Sequence, residues 1–383
     1  MNQDVVIVGA SFAGLACALA LAEAGLRVTV VERKADAGEK LHTTGILVRD
    51  VMDKVALLDG MPGELVRRVE GVRLYAPNMR HVDLSAPGYY FLATDTPGLM
   101  RWLALRAERA GVRMRWNTVY RDVHRIQSGF DLQEPIGTTR FLVGADGPRS
   151  AVARSLHLGE NRQFLAGIEH EYEGLAVDAA DRLHCFIDKR CMPGYIGWVV
   201  QGVGITQVGL ARRQRDGDGA VVKVSMERFL DKIAPLFDFR MRAPKAIRAG
   251  LIPCGGVVRP SAAPRAMLVG DAAGMVSPVT AGGIHMALQF GARSGHGIAD
   301  FLSGRGADPG LAAAQTYPKY RIKRTLRFLY DHFQTDWAFN LLLATQPVRQ
   351  AASLVYFHRR GMFESSRSAG GVKLEESGGR RRH

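Results

Sequence analysis

Apolar and polar residues alternate along this chain with two distinct periods, and the change of period marks its elements. Four consecutive apolar residues, Val5-Val6-Ile7-Val8, run into a glycine-bounded turn, Gly9-Ala10-Ser11-Phe12-Ala13-Gly14. Such a run predicts a strand buried on both faces. An Ala/Leu-rich helix follows to about Ala24 and stops at Gly25. A second strand, Arg27-Val28-Thr29-Val30-Val31, ends at Glu32. Val48–Leu58 predicts a helix, broken by Gly60-Met61-Pro62-Gly63. Val72–Leu84 alternates about Pro77-Asn78 and predicts a hairpin. Pro97–Ala110 predicts an amphipathic helix with Leu99, Leu103, Leu105 and Ala107 near one face. Short strands are expected at Val112–Trp116, Val119–Ile126 and Phe130–Gln133, and a buried one at Phe141-Leu142-Val143.

From Gln163 to Gly250 short strands with turn signals dominate: His184–Asp188, Gly197–Val203 and Thr206–Leu210, then a helix at about Val224–Pro235. Met267-Leu268-Val269 predicts another buried strand and Gly282–Phe301 a helix. Leu311–Gln334 and Trp337–Tyr356 read as two further helices. The expected fold class is therefore α/β. A Rossmann-like nucleotide-binding domain (residues 1–70, 91–162 and 251–302) is interleaved with a mostly antiparallel substrate domain (hairpin 71–90 and residues 163–250). A helical C-terminal region (303–364) and a polar, disordered tail (365–383) complete the expectation.

Composition narrows the picture. Cys17, Cys185, Cys191 and Cys254 are scattered, without metal-ligand spacing, and a chain of 383 residues has no need of disulfide staples. Met1-Asn2-Gln3-Asp4 leads straight into the first strand, so a cytoplasmic protein is expected. No run of about 18 apolar residues predicts a membrane span. The net charge is +14, from 51 basic and 37 acidic residues. No nucleic-acid motif stands in its proper context. The cations gather late, at Lys319–Arg327, Arg359-Arg360 and Arg380-Arg381-Arg382, beside aromatic and apolar stretches. That favours the inner face of an anionic membrane, or a lipid-like anionic substrate, with a basic surface that serves only solubility as an equal alternative.

Strand, glycine turn, helix, strand and closing acid together form a dinucleotide-binding unit. Gly9 permits the sharp turn and Gly14 close packing of helix on strand, while the helix N-terminus aims N–H groups at a pyrophosphate. Glu32, 18 residues past Gly14, can accept ribose hydroxyls. Ser11 stands where the fingerprint has its middle glycine. Two further turns follow apolar strands: Gly144-Ala145-Asp146-Gly147-Pro148-Arg149-Ser150 and Gly270-Asp271-Ala272-Ala273-Gly274.

These three turns, in this order over residues 4 to 300, resemble the FAD-dependent aromatic hydroxylase superfamily, which includes geranylgeranyl reductases. The resemblance implies FAD held by Gly9, Ser11, Ala13, Gly14, Glu32 and Arg33, with Gly45, Arg101, Asp146 and Gly147 shaping the site. Asp271 is then placed for ribityl hydroxyls. Pro278, Gly282, Gly283 and Ile284 face the flavin's N1–O2 edge, where a helix N-terminus stabilises the reduced anion. Asp146 has a second reading, as the cap of the helix after Ser150. Gly250–Gly256 and Pro193-Gly194-Tyr195-Ile196-Gly197-Trp198 look like geranylgeranyl reductases in particular. They imply Tyr195 and Trp198 as apolar walls for an isoprenoid chain, or ordinary strand aromatics.

The chain departs from that family in several places. Its Cys-Gly-Gly-Gly stretch is Leu41-His42-Thr43-Thr44-Gly45 here, its aromatic-Phe-Pro is Val199-Val200-Gln201, and the arginine heading the Pro97 helix is missing, with Arg101 nearby. The flavin halogenase signature is absent as well. His42 reads as a loop histidine with one surface hydrogen bond ahead of a place over the flavin, and Cys254 as a small buried hydrophobe ahead of a redox-active thiol. No second glycine fingerprint follows a strand, so NAD(P)H would bind transiently or an external protein would donate electrons. The leading expectation is an FAD-dependent reductase of isoprenoid double bonds. A flavin monooxygenase of an apolar or aromatic substrate is the alternative, and a redox-neutral cyclase or flavin-binding module the third. No catalytic acid or base is identified by the sequence.

Overall fold

The computed structural model describes residues 3–214, 221–239, 242–343 and 345–357. The arginine clusters at 359–360 and 380–382 and the tail from 365 lie outside the described residues. Two large sheets organise the rest. The first is a mixed sheet of eight strands. Its parallel core runs Ala266–Leu268, Thr138–Gly144, Gln3–Val8, Val28–Val31, Arg113–Arg115. Short antiparallel strands, including Ala262–Ala263 and Gly129–Asp131, border it. Every residue of Gln3–Val8 is buried, as an apolar run covered by helices on both faces requires.

The second sheet orders seven strands as Ala246–Pro253, Phe164–Tyr172, Thr206–Arg213, Gly197–Gln201, Arg182–Phe186, Gly71–Tyr75, His81–Leu84. Neighbours are antiparallel except Arg182–Phe186 with Gly71–Tyr75, which run parallel. One face packs Val199, Val208 and Leu210 against Met226, Phe229 and Ile233 of the helix Val221–Ile233. Its other face and edge meet Phe91, Leu343 and Phe357. A third sheet, Ile46–Val48, Phe91–Thr94 and Val66–Val69, was not anticipated from the pattern, because its strands are short and only Phe91–Thr94 is buried throughout.

Several expected elements are shorter than the periodicity suggests. The helix expected over Val48–Leu58 is Arg49–Lys54 followed by one tight turn at Ala56–Leu58. Within the helix Thr96–Arg109 the buried stripe is Leu99, Met100, Leu103, Ala104 and Ala107, whereas Leu105 faces outward. Leu311–Gln334 is two helices, Pro309–Thr316 and Arg321–Phe333. Pro318 cannot continue a helix, and Tyr320 takes the left-handed conformation at φ 44°. Trp337–Tyr356 likewise divides into Asp336–Leu342 and Gln346–Phe357, the second with Pro347 in its first turn.

The helices Phe12–Glu23 and Ile284–Leu302 lie against each other closely enough that two glycines are obligatory. A Cβ on Gly291 would overlap the Ala13 carbonyl, and one on Gly295 would come within 2.7 Å of the Cys17 carbonyl oxygen. The spacing of four places both on one face, so backbone meets backbone along a full turn.

Candidate FAD site

The first glycine turn is fixed by contacts that reach across the chain. Gly9 has φ +106°, and a Cβ there would overlap the carbonyl of Ala145, so the first and second turns touch at backbone level. Ser11 is the N-cap of the helix Phe12–Glu23. Its Oγ accepts from Gly14 N at 3.2 Å and donates to Ala145 O at 2.9 Å. It is therefore a structural clasp rather than a spatial compromise for glycine. The amides of Phe12 and Ala13 have no intrahelical acceptor and remain as donors at the helix N-terminus. Glu32 is buried, accepting from Ala10 N at 2.9 Å through Oε2 and from Lys34 N at 3.0 Å through Oε1. Each oxygen keeps a second lone pair for a hydroxyl.

Asp146 accepts from Ser150 Oγ at 2.6 Å and from the amides of Ala151 and Val152 at 2.6 and 3.2 Å. Ser150 is the N-cap of the helix Ala151–Ser155, its Oγ accepting from Ala153 N at 2.9 Å, and Asp146 braces that cap from outside. Burial raises its carboxyl above the usual range against these hydrogen bonds. Gly147, at φ +85°, opens onto free space. Asn161 was not singled out in the sequence. Its Nδ2 donates to Pro148 O at 3.1 Å and Asp271 O at 2.9 Å, joining the second turn to the third.

Asp271 differs from the other acids. No donor among the described residues reaches its carboxylate, and burial alone pushes it up to about 6. Beside it starts the helix Ile284–Leu302, capped by Gly283 without any side-chain hydrogen bond. A Cβ on Gly283 would lie 3.5 Å from Asp271 Oδ1 and 3.1 Å from Val276 Cγ2. A half-buried carboxylate without a protein donor, next to an uncapped helix N-terminus, suits a ligand that donates hydrogen bonds and carries negative charge. A ribityl chain and a reduced flavin ring have those two properties. The loop from Pro278 is held by Ala281 N to Ser277 O at 2.9 Å and Ser277 N to Gly282 O at 3.2 Å.

Tyr195 reaches this loop from the substrate sheet, its hydroxyl donating to Thr280 O at 2.5 Å. Tyr195, Trp198 and Ile252 pack with Ala281 over buried Leu165, Ala211 and Cys254. Trp198 lies on Gly209, where a Cβ would overlap its ring, and its indole N–H donates to Glu169 Oε2 at 2.9 Å. Glu169 is 4% exposed and also accepts from Thr44 Oγ1 at 2.6 Å and Gln207 Nε2 at 3.3 Å. Burial raises it despite these donors. Sequence reasoning passed it over, since Glu169 alternates with Glu171 on a strand and only the fold separates them. Glu171 pairs with Arg248, whereas Glu169 meets neutral donors.

The remaining expected residues lie around this centre. Gly45 is at φ +76°, its carbonyl accepting from Thr94 Oγ1 at 2.8 Å. Arg101 is 57% exposed and paired with Asp36 at 2.8 Å. Arg33 lines an open cleft of about 620 Å³ together with Lys34, Lys40, His42, Asn117 and Arg248. His42 Nδ1 lies 2.6 Å from Ala249 O. Cys254 is buried and raised by that burial although Arg213 Nη1 stands 2.8 Å from its sulfur.

Three converging glycine turns, a buried acid closing the second strand and an uncapped helix beside the Asp271 carboxylate are the framework of a flavin-dependent oxidoreductase. The family described as FAD binding domain matches residues 2–328, and the chain belongs to it. Digeranylgeranylglycerophospholipid reductase 2 of Methanopyrus kandleri is 30% identical over 319 residues, 79% of this chain and 78% of the relative. A geranylgeranyl bacteriochlorophyll reductase-like protein from Thermoplasma acidophilum shares the fold at TM-score 0.79 and 18% identity, over 94% of this chain and 97% of that one. A flavin-dependent brominase does so at TM-score 0.68 and 14% identity, over 96% and 100%.

Proposed function

We propose that this protein reduces carbon–carbon double bonds in the isoprenoid chain of a lipid. The observation that carries the reading is the apolar patch of Tyr195, Trp198 and Ile252 packed directly against Ala281 of the loop beside Asp271. The charges beside this patch are the buried Glu169, hydrogen-bonded to Trp198, and Arg213, which touches Cys254 and pairs with Asp331. Relatives named as geranylgeranyl-type reductases support the same substrate class.

FAD, when bound and reduced, supplies the hydride. The protein's own part is to bind, orient and supply the proton. Phe12 and Ala13 N–H groups would hold the pyrophosphate, Glu32 and Asp271 the sugar hydroxyls, and the Ile284 helix N-terminus would favour the reduced, anionic ring. Hydride adds to one carbon of the double bond and a proton to the other. Glu169, shifted toward its neutral form by burial, is the proton reservoir in our reading, with the Thr44 hydroxyl at 2.6 Å as its outlet. Tyr195 and Trp198 keep the chain dry and flat.

The deciding experiment incubates dithionite-reduced enzyme with a geranylgeranyl lipid under nitrogen and follows product mass. A gain of two hydrogens per double bond without O₂ is expected. Product that forms only with O₂ and carries an oxygen atom would make the enzyme a monooxygenase. An isomer of unchanged mass would make it a redox-neutral cyclase. NAD(P)H or an electron-transfer protein as natural reductant is a further part of this reading, tested by replacing dithionite with each.

A further inference from the structure

The helix Arg321–Phe333 is built inside out. Its polar side is turned into the protein: Arg327, 4% exposed, donates to the Gly194 carbonyl and pairs with Asp331. The buried Gln334 accepts from Gly194 N at 2.7 Å, and the Tyr330 hydroxyl donates to Tyr195 O at 3.4 Å. Its apolar side faces out. Ile322, Leu326, Leu329 and Phe333 recur at i, i+4, i+7 and i+11 and are 78%, 49%, 45% and 69% exposed. A helix of a water-soluble surface turns such a stripe toward the core. The next helix adds Trp337 and Leu341, each 68% exposed. Lys319, Arg321 and Arg324 are exposed at its N-terminal end, while Asp331, its one acid, is engaged by Arg327 and Arg213.

We propose that this stripe is a docking face for an anionic membrane, lying in the plane of the headgroups with Ile322, Leu326, Leu329 and Phe333 among the acyl chains. An apolar stripe with cations at one end and no free acid has the composition of an interfacial helix. Among the described residues no helix is long and apolar enough to cross a bilayer. The polar side clasps the Gly194–Tyr195 turn, and Tyr195 in turn holds Thr280 beside the flavin loop. The docked helix therefore sits one turn away from where the isoprenoid chain must arrive. The proposal deepens the reductase reading and relies on it only for what is collected from the bilayer.

The test is co-sedimentation of the full chain with phosphatidylglycerol–phosphatidylcholine vesicles and with phosphatidylcholine vesicles, at low and high salt. Wild type should bind the anionic vesicles and weaken at high salt. Leu326→Glu with Phe333→Glu should lower partitioning at least about tenfold through lost apolar burial. Leu311→Glu, at an exposed apolar position on another helix, should bind like wild type. With a geranylgeranyl lipid the double variant should lose turnover in vesicles and keep it in detergent micelles. A double variant that pellets like wild type overturns the proposal. So does light scattering that shows a wild-type dimer and a monomeric double variant with no vesicle binding by either, which assigns the face to a second copy of the chain. Loss of vesicle binding with no reduction by any protein, even in micelles, leaves docking supported and the reductase reading refuted.

Discussion

Replacing Asp271 by Asn separates what the site costs the empty protein from what it contributes to the loaded one. A carboxyl at 3.8 in the unfolded chain and about 6 in the fold means the unfolded chain gives up its proton more readily. The folded apo-protein is then at its best, with respect to this group, below pH 4. It loses stability as pH rises from about 4 to 6 and is level above. The rise corresponds to at most about 3 kcal/mol, reduced by the Ile284 helix N-terminus beside it, which favours the charged form. Asp271→Asn should therefore raise the thermal midpoint of apo-protein at pH 7.5 by a few degrees and leave it unchanged at pH 4. FAD affinity should move the other way, since a hydrogen bond to a charged acceptor contributes about 1.5–3 kcal/mol, or roughly 10- to 150-fold in Kd. Calorimetry of apo-protein across pH and a fluorescence titration with FAD read both effects. An apo-protein that is destabilised at pH 7.5, or that binds FAD as tightly as wild type, would show that Asp271 already has a partner and does not hold the cofactor.

Three further outcomes follow from the same geometry. Gly283→Val should crowd Val276 and block donors at the helix N-terminus, lowering the flavin potential by roughly 60 mV, equivalent to about 3 kcal/mol; an unchanged potential with normal affinity in spectroelectrochemistry would move the isoalloxazine elsewhere. Gly291→Leu should overlap the Ala13 carbonyl and destabilise by about 3 kcal/mol or more, with early flavin release on heating; a wild-type melting curve would contradict the packing. Glu169→Gln should slow reduction by about 10²–10⁴ and flatten the alkaline limb of the kcat profile, and the proton assignment fails if that limb persists.

Much of the first sheet could be read ahead of the structure because its signals are local. An unbroken apolar strand, a glycine turn and a closing acid all lie within residues 4 to 32. The function of Ser11 was hidden because its partner, Ala145 O, is 134 residues away. Asp146 offered two roles at once, and its contacts with Ser150, Ala151 and Val152 at the helix start come into being only on folding. Glu169 draws on Thr44, Trp198 and Gln207 from three distant segments, so its neighbourhood exists only after folding. In the C-terminal region the stripe spacing was legible, but not its direction. A helical period says which residues share a face and nothing about which face turns inward. At Pro318 and Pro347 a rigid φ and a missing donor outrank apolar periodicity and divide each expected helix in two.

The order of strands in the first sheet has a consequence for how the molecule comes into being. Thr138–Gly144 is seated between Gln3–Val8 and Ala266–Leu268, and the helix that packs on Phe12–Glu23 ends only at Leu302. The amino-terminal strand, paired early with Val28–Val31, therefore waits more than a hundred residues for its second neighbour, Thr138–Gly144, which in turn waits more than a hundred more for Ala266–Leu268. Closing such distant ends is slow and leaves sticky edges in the open meanwhile. Truncation before the Ile284 helix should yield no stable flavin-binding fragment, however complete its nucleotide fingerprint. Maturation of this enzyme is thus tied to a late, nearly whole-chain event, at which a chaperone or the incoming cofactor has the greatest leverage over yield.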